Sequence, residues 1–139
     1  MANPDTAHRE MTDAWNRRDF NKFRALLHPD YTYTGGDGQE QRGPEAGLAV
    51  AQMFANAFPD GRIEIRRGYV QGDVAICEFR ATGTFDGELM GIAPTGKHVE
   101  INVCNVLELR DGKIYREREY MDMLTMFEQL GVLARPGGE

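Results

Sequence analysis

Lys97 to Leu130, KHVEINVCNVLELRDGKIYREREYMDMLTMFEQL, decides the fold of this chain. From Val99 to Leu109 every second residue is apolar (Val99, Ile101, Val103, Leu107, Leu109) except Asn105, which is the period of a strand with one buried face. Asn105 is a polar residue on that buried row. Asp111-Gly112 reads as a two-residue hairpin turn, because such turns need positive φ at both central positions. The returning strand has two candidate faces: Ile114, Arg116, Arg118, Tyr120 and Asp122 on one, Tyr115, Glu117, Glu119 and Met121 on the other. Charges stand on both. Ile114, Tyr120 and the following apolar helix favour the Asp122 face as the inner one, so that Arg118, Tyr120 and Asp122 line one wall with Asn105. Met123 to Leu130 then forms a closing helix, with Gly131 placed for a left-handed cap.

Upstream of the hairpin, Pro4 behind Asn3 opens a helix reaching about Arg18, with Ala7, Met11, Ala14 and Trp15 on its buried face. Asp19 caps a shorter helix carrying Phe20, Phe23, Leu26 and Leu27, which Pro29 ends. Tyr31 to Thr34 is a short strand, and Gly35 to Gly43 a mobile loop by composition. Pro44 and Glu45 open a third helix that Pro59-Asp60-Gly61 terminates. Strands follow at Ile63–Ile65 and from Val74 to about Thr84. Helices first and a mostly antiparallel sheet afterwards define an α+β fold, a cone-shaped barrel in which a curved sheet wraps over the N-terminal helices. The 139 residues fit one domain, with a disordered tail from about residue 132.

A net charge of −6 argues against nucleic acid as a partner, because phosphate binding needs clustered cations. Arg62, Arg66 and Arg67 read as a solvated strand face. No apolar run approaches the roughly 20 residues of a membrane helix, and the N-terminus lacks signal-peptide character, so a cytoplasmic location is expected. Cys77 and Cys104 have no metal-ligand spacing, and the three histidines share no local pattern; no bound metal is expected. Gly91 to Lys97 fits a Gly-x4-Gly-Lys phosphate loop, but His98 replaces the required Ser or Thr and a strand follows where a helix is needed.

The segment TGTFDGELMGIAPTGKHVEINVCNVLELRDGKI, with Asp122 before a Leu/Met-rich helix ending in Gln129-Leu130-Gly131, resembles the SnoaL-like polyketide cyclases of the nuclear transport factor 2-like superfamily. Trp15-Asn16-Arg17-Arg18-Asp19-Phe20, Pro29-Asp30, Ala57-Phe58-Pro59-Asp60 and Gly72-Asp73-Val74 extend the resemblance over nearly the whole chain. It implies an enzyme of secondary metabolism that needs neither metal nor organic cofactor, acts on a small hydrophobic or aromatic substrate, and associates as a homodimer or homotetramer. The implied reaction is intramolecular aldol closure of an aromatic polyketide ester, with Asp122 matching the acid/base aspartate. This chain has Phe85 where the family usually has His after Gly-Thr, and Arg118 where an aromatic usually stands four residues before the aspartate.

On chemical grounds Asp122 is either the cap of the last helix or a proton carrier at a cavity mouth. Arg118 and Asn105 are candidates to hold a developing oxyanion, and Tyr120, Trp15 and Tyr33 to contact a flat substrate. Two other readings stand beside ring closure. One is cofactor-independent hydroxylation of anthracycline-type polyketides, which a cation such as Arg118 would assist. The other is a non-catalytic ligand-binding or dimerisation module.

Overall fold

A computed structural model describes residues 2–133. The expected disorder of the tail falls almost wholly on residues 134–139, outside those described. In chain order the elements are α1 (Ala7–Asn16), α2 (Phe20–Ala25), β1 (Leu27–Thr34), β2 (Glu40–Arg42), α3 (Pro44–Ala57), β3 (Arg62–Gln71), β4 (Val74–Thr84), β5 (His98–Arg110), β6 (Lys113–Met121) and α4 (Met123–Leu130). One six-stranded sheet runs in the order β2-β1-β6-β5-β4-β3. All neighbours are antiparallel except β1 and β6. The sheet curves around the helices without closing, so the cone is an open one.

Three local expectations are corrected. Helix α1 begins at Ala7, not Pro4, because the Asn3 side chain accepts from the Asp5 and Thr6 amides (2.9 and 3.2 Å) and holds residues 4–6 in a turn. Helix α2 stops at Ala25, and β1 starts at Leu27 with Pro29 inside its irregular first half, where the register with β6 shifts. The Gly35–Gly43 segment is not simply a loop: Glu40–Arg42 return along β1 as a short edge strand.

The hairpin of β5 and β6 has the expected turn, with φ of 54° at Asp111 and 72° at Gly112. Its register contains a bulge. Leu109 pairs with Ile114, but Glu108 pairs with Arg116, leaving Tyr115 as an extra residue. Past that point the phase of β6 is reversed. Ile114 is inside, and so are Glu117, Glu119 and Met121, opposite Leu107, Asn105 and Val103.

Two apolar clusters line the cone. One joins α1, α2 and α3 to β1 through Trp15, Phe23, Tyr31 and Tyr33. The other lies under α4 and includes Phe58, Phe79, Phe85 and Val103. Phe85 is fully buried and packs on Phe58 with ring centroids 5.8 Å apart. Between the clusters the rim is clamped by Arg18, which donates to the Phe58, Pro59 and Gly61 carbonyls (3.1, 3.2 and 3.1 Å) and lies 4.1 Å over the Trp15 ring. Among the described residues no helix is long and apolar enough to cross a membrane.

Candidate active site

Helices α1 and α3, the inner faces of β4 to β6 and the start of α4 leave a cavity between them. Its empty volume is about 930 Å³ when its open mouth is counted. Its walls are Met11, Trp15, Phe54, Phe79, Ile101, Val103 and Met126 with other apolar groups, and Glu117, Glu119 and Tyr33 give it one polar end. A largely apolar cavity with a few converging polar groups is the usual form of a small-molecule site.

The polar end is a connected network. Asn105, with none of its surface exposed, donates through Nδ2 to Glu117 Oε2 (2.8 Å) and Glu119 Oε2 (3.1 Å). Tyr31 donates its hydroxyl to Glu117 Oε1 at 2.6 Å, and Tyr33 donates to Glu119 Oε1 at 3.0 Å. Asn105 presents its amide nitrogen to the two carboxyls and its oxygen to His8. The 2.8 Å contact between Asn105 Oδ1 and His8 Nε2 therefore places the imidazole proton on Nε2. Close approach of α3 keeps Tyr31 in place: a Cβ on Gly47 would come within 2.4 Å of the Tyr31 ring.

Burial sets the electrostatics. It pushes the Glu119 carboxyl up to about 7, and the neighbouring Glu117 charge pushes the same way against the hydrogen bonds from Tyr33 and Asn105. Burial also raises Glu117, opposed by Tyr31 and Asn105. The two tyrosines are raised by burial and by the adjoining carboxylates, and so remain hydrogen-bond donors. Burial lowers His8, keeping it neutral. Among the described residues neither glutamate has an ion-pair partner.

The residues singled out from the sequence divide into two groups. Asn105, Tyr33 and Trp15 meet at the cavity, with Trp15 Nε1 donating to the Ala51 carbonyl at 3.0 Å. Arg118, Tyr120 and Asp122 do not join them, and the expectation that they share a wall with Asn105 is corrected. The bulge at Tyr115 turns Arg118 and Tyr120 to the outer face of the sheet. There Arg118 pairs with Glu108, and Tyr120 is 58% exposed. Asp122 is exposed and caps α4, accepting from the Thr125 amide (3.0 Å) and hydroxyl (2.6 Å). With Tyr120, Arg66 and Glu78 it borders an outer groove, not the inner cavity. Sequence reasoning missed Glu117 and Glu119. The available signal was an E-x-E pair on the strand opposite an inward asparagine.

An α+β cone holding an apolar cavity with carboxyls at one end defines a small-molecule site suited to proton transfer. The chain belongs to the SnoaL-like polyketide cyclase family, whose model matches residues 5–130. It is similar to the aklanonic acid methyl ester cyclase AcmA of Streptomyces galilaeus, 28% identical over 133 residues covering 94% of this chain and 92% of that protein. The cyclase DnrD of Streptomyces peucetius, of the same description, is 27% identical over 126 residues covering 88% and 87%. Among solved structures, IdmH of Streptomyces antibioticus, a proposed polyketide cyclase, superposes with a TM-score of 0.80 at 29% identity, covering 93% of this chain and 99% of that one. AclR of Streptomyces galilaeus, a proposed hydroxylase, gives 0.83 at 26% identity, covering 95% and 83%.

Proposed function

We propose that this protein closes a ring of an aromatic polyketide ester by intramolecular aldol addition, with Glu119 as the group that takes up and returns the proton. The observation that carries this reading is a carboxyl at the polar end of an apolar cavity, fixed by Tyr33 and Asn105 and poised near neutral pH. A base with that affinity combines a useful ionised fraction with a useful driving force. The carbon to be deprotonated lies between two carbonyl groups and is already acidic, so the roughly 100- to 10,000-fold that positioned proton transfer supplies is a matching contribution. Glu119 takes the proton as the C–H bond breaks, and the enolate carbon forms the new C–C bond at a ketone of the same molecule. The resulting alkoxide recovers the proton from Glu119. Trp15, Phe54 and the aliphatic wall hold the flat substrate and exclude water.

The proton-carrying role goes to Glu119 and not to Asp122, whose capping bonds and outward position account for its presence. Both are tested side by side with a polyketide methyl ester bearing a free ketone. Glu119→Gln should lower kcat at least 100-fold, and Asp122→Asn should change it less than tenfold. The reverse pattern removes the assignment. Hydroxylation has the likeness to AclR in its favour, but the cation invoked for it, Arg118, is outside the cavity. Product formation that requires dissolved oxygen would favour it. The outer face also carries exposed Tyr69, Ile76 and Tyr120, and self-association through these residues is the form of homodimer or homotetramer we propose. Sedimentation of Tyr120→Glu against the parent tests it.

A further inference from the structure

We propose that Glu117 and Glu119 act as one acid pair carrying a single proton between them in the resting enzyme, with Glu117 the positioning residue that makes Glu119 a competent base. The inference rests on the ring-closure reading for its catalytic meaning and on geometry for its existence. Glu117 Oε2 and Glu119 Oε2 converge on one nitrogen, that of Asn105, so they lie no further apart than those two hydrogen bonds laid end to end. Glu117 borders the cavity but is only 6% exposed and takes its other bond from Tyr31, so of the two it is the less accessible to substrate. All four donor bonds to the pair come from neutral groups.

Among the described residues no cation pairs with either glutamate; Arg62 of β3 lines the same cavity but is itself exposed to solvent. Helix α1 presents His8, held neutral by burial, to the far side of Asn105. Strand β1 presents Tyr31 and Tyr33, and Asp37 beyond it adds further negative charge near Tyr33. Strand β4 places Cys77 opposite Asn105, with burial pushing its thiol up to about 11. Helix α3 faces the site with Gly47, Val50, Ala51 and Phe54, and α4 with Met126. Two buried carboxylates this close with no cation paired to either cannot both be ionised cheaply, so one proton stays with the pair.

The reaction fits that charge state. The pair begins with one proton and net charge −1. Proton removal from the substrate carbon brings it to two protons and neutrality as negative charge passes to the enolate, and proton return to the alkoxide restores the starting state. No other reactant is needed. An isolated Glu119 would ionise at lower pH and be a weaker base.

Carboxyl ¹³C NMR of the full-length protein labelled at glutamate tests this without substrate, assigning the two resonances with Glu117→Gln and Glu119→Gln. In the parent both resonances should move over the same two pH intervals. In Glu117→Gln the Glu119 resonance should titrate once, with its midpoint lower by about one pH unit, and the acid limb of the pH–rate profile should move with it. An unchanged Glu119 midpoint, or two independent single titrations in the parent, overturns the proposal. Should Glu117→Gln not fold, Glu119→Gln serves instead: Glu117 must then titrate once and lower than in the parent, and an unchanged Glu117 sinks the pair. A coupled pair in a protein that turns over no polyketide ester would retain the pair and remove the ring-closure reading. Turnover with independent titrations would do the opposite.

Discussion

Asn105 stands opposite Glu119 in the register of β5 and β6, and its single amide nitrogen serves both Glu119 and Glu117. Replacing it removes two hydrogen bonds to acidic groups and one to His8 at a fully buried point. Asn105→Leu should therefore lower unfolding free energy by roughly 3 kcal/mol, since bonds to charged groups are worth about 1.5 to 3 kcal/mol each and apolar volume recovers part of the loss. Urea titration at pH 7 measures it. A loss below about 1 kcal/mol would mean that the network contributes little to holding the sheet together.

Stability should also depend on pH through Glu119. Its ordinary value is 4.5 and the fold raises it to about 7. Below 4.5 both folded and unfolded chains carry the proton and the group is neutral in the balance. Between 4.5 and about 7 the unfolded chain releases the proton first, so stability falls as pH rises, and the loss is complete above the folded value. The total is on the order of 3 kcal/mol. Glu119→Gln should flatten that slope and melt higher than the parent at pH 8. A parent whose melting temperature is constant from pH 5 to 8 would contradict it.

Gly47→Ala tests the support behind the site. The new methyl would meet the Tyr31 ring well inside contact distance, so either α3 or the ring must move. A loss of roughly 1 to 3 kcal/mol is expected despite alanine's better helix propensity. Displacement of Tyr31 should also raise the midpoint of Glu117, which loses a donor.

Asp122→Ala isolates helix capping from chemistry. Loss of the bonds to Thr125 should cost about 1 kcal/mol. The Glu119 titration should stay where it is, as measured by the same carboxyl NMR. A shifted Glu119 midpoint would tie Asp122 to the cavity after all.

Much of this arrangement was legible from local chemistry. The alternation from Val99 to Leu109, the Asp111-Gly112 turn, the Asp122 and Gly131 caps and the anomalous Asn105 all follow from residue type and spacing. The inner face of β6 was not legible. Counted straight back from the turn, Asn105 would face Arg118; the extra residue at Tyr115 makes it face Glu119. A bulge at a tyrosine leaves no mark in composition. Nor does any local pattern join Tyr31 and Tyr33 to carboxyls 86 positions away, a meeting made by the parallel pairing of β1 with β6. Charged strand residues read as solvated because most are, and only the tertiary pairing shows these two to be enclosed.

Tyr115 thus works as a hinge of parity. Deleting that one residue would exchange inside for outside along everything that follows in the strand, carrying guanidinium and phenol groups into the hollow and expelling the acids. A single codon separates an acid-lined vessel from a base-lined one, which makes gain or loss of one residue near a hairpin tip the shortest mutational step between two interior chemistries on the same scaffold.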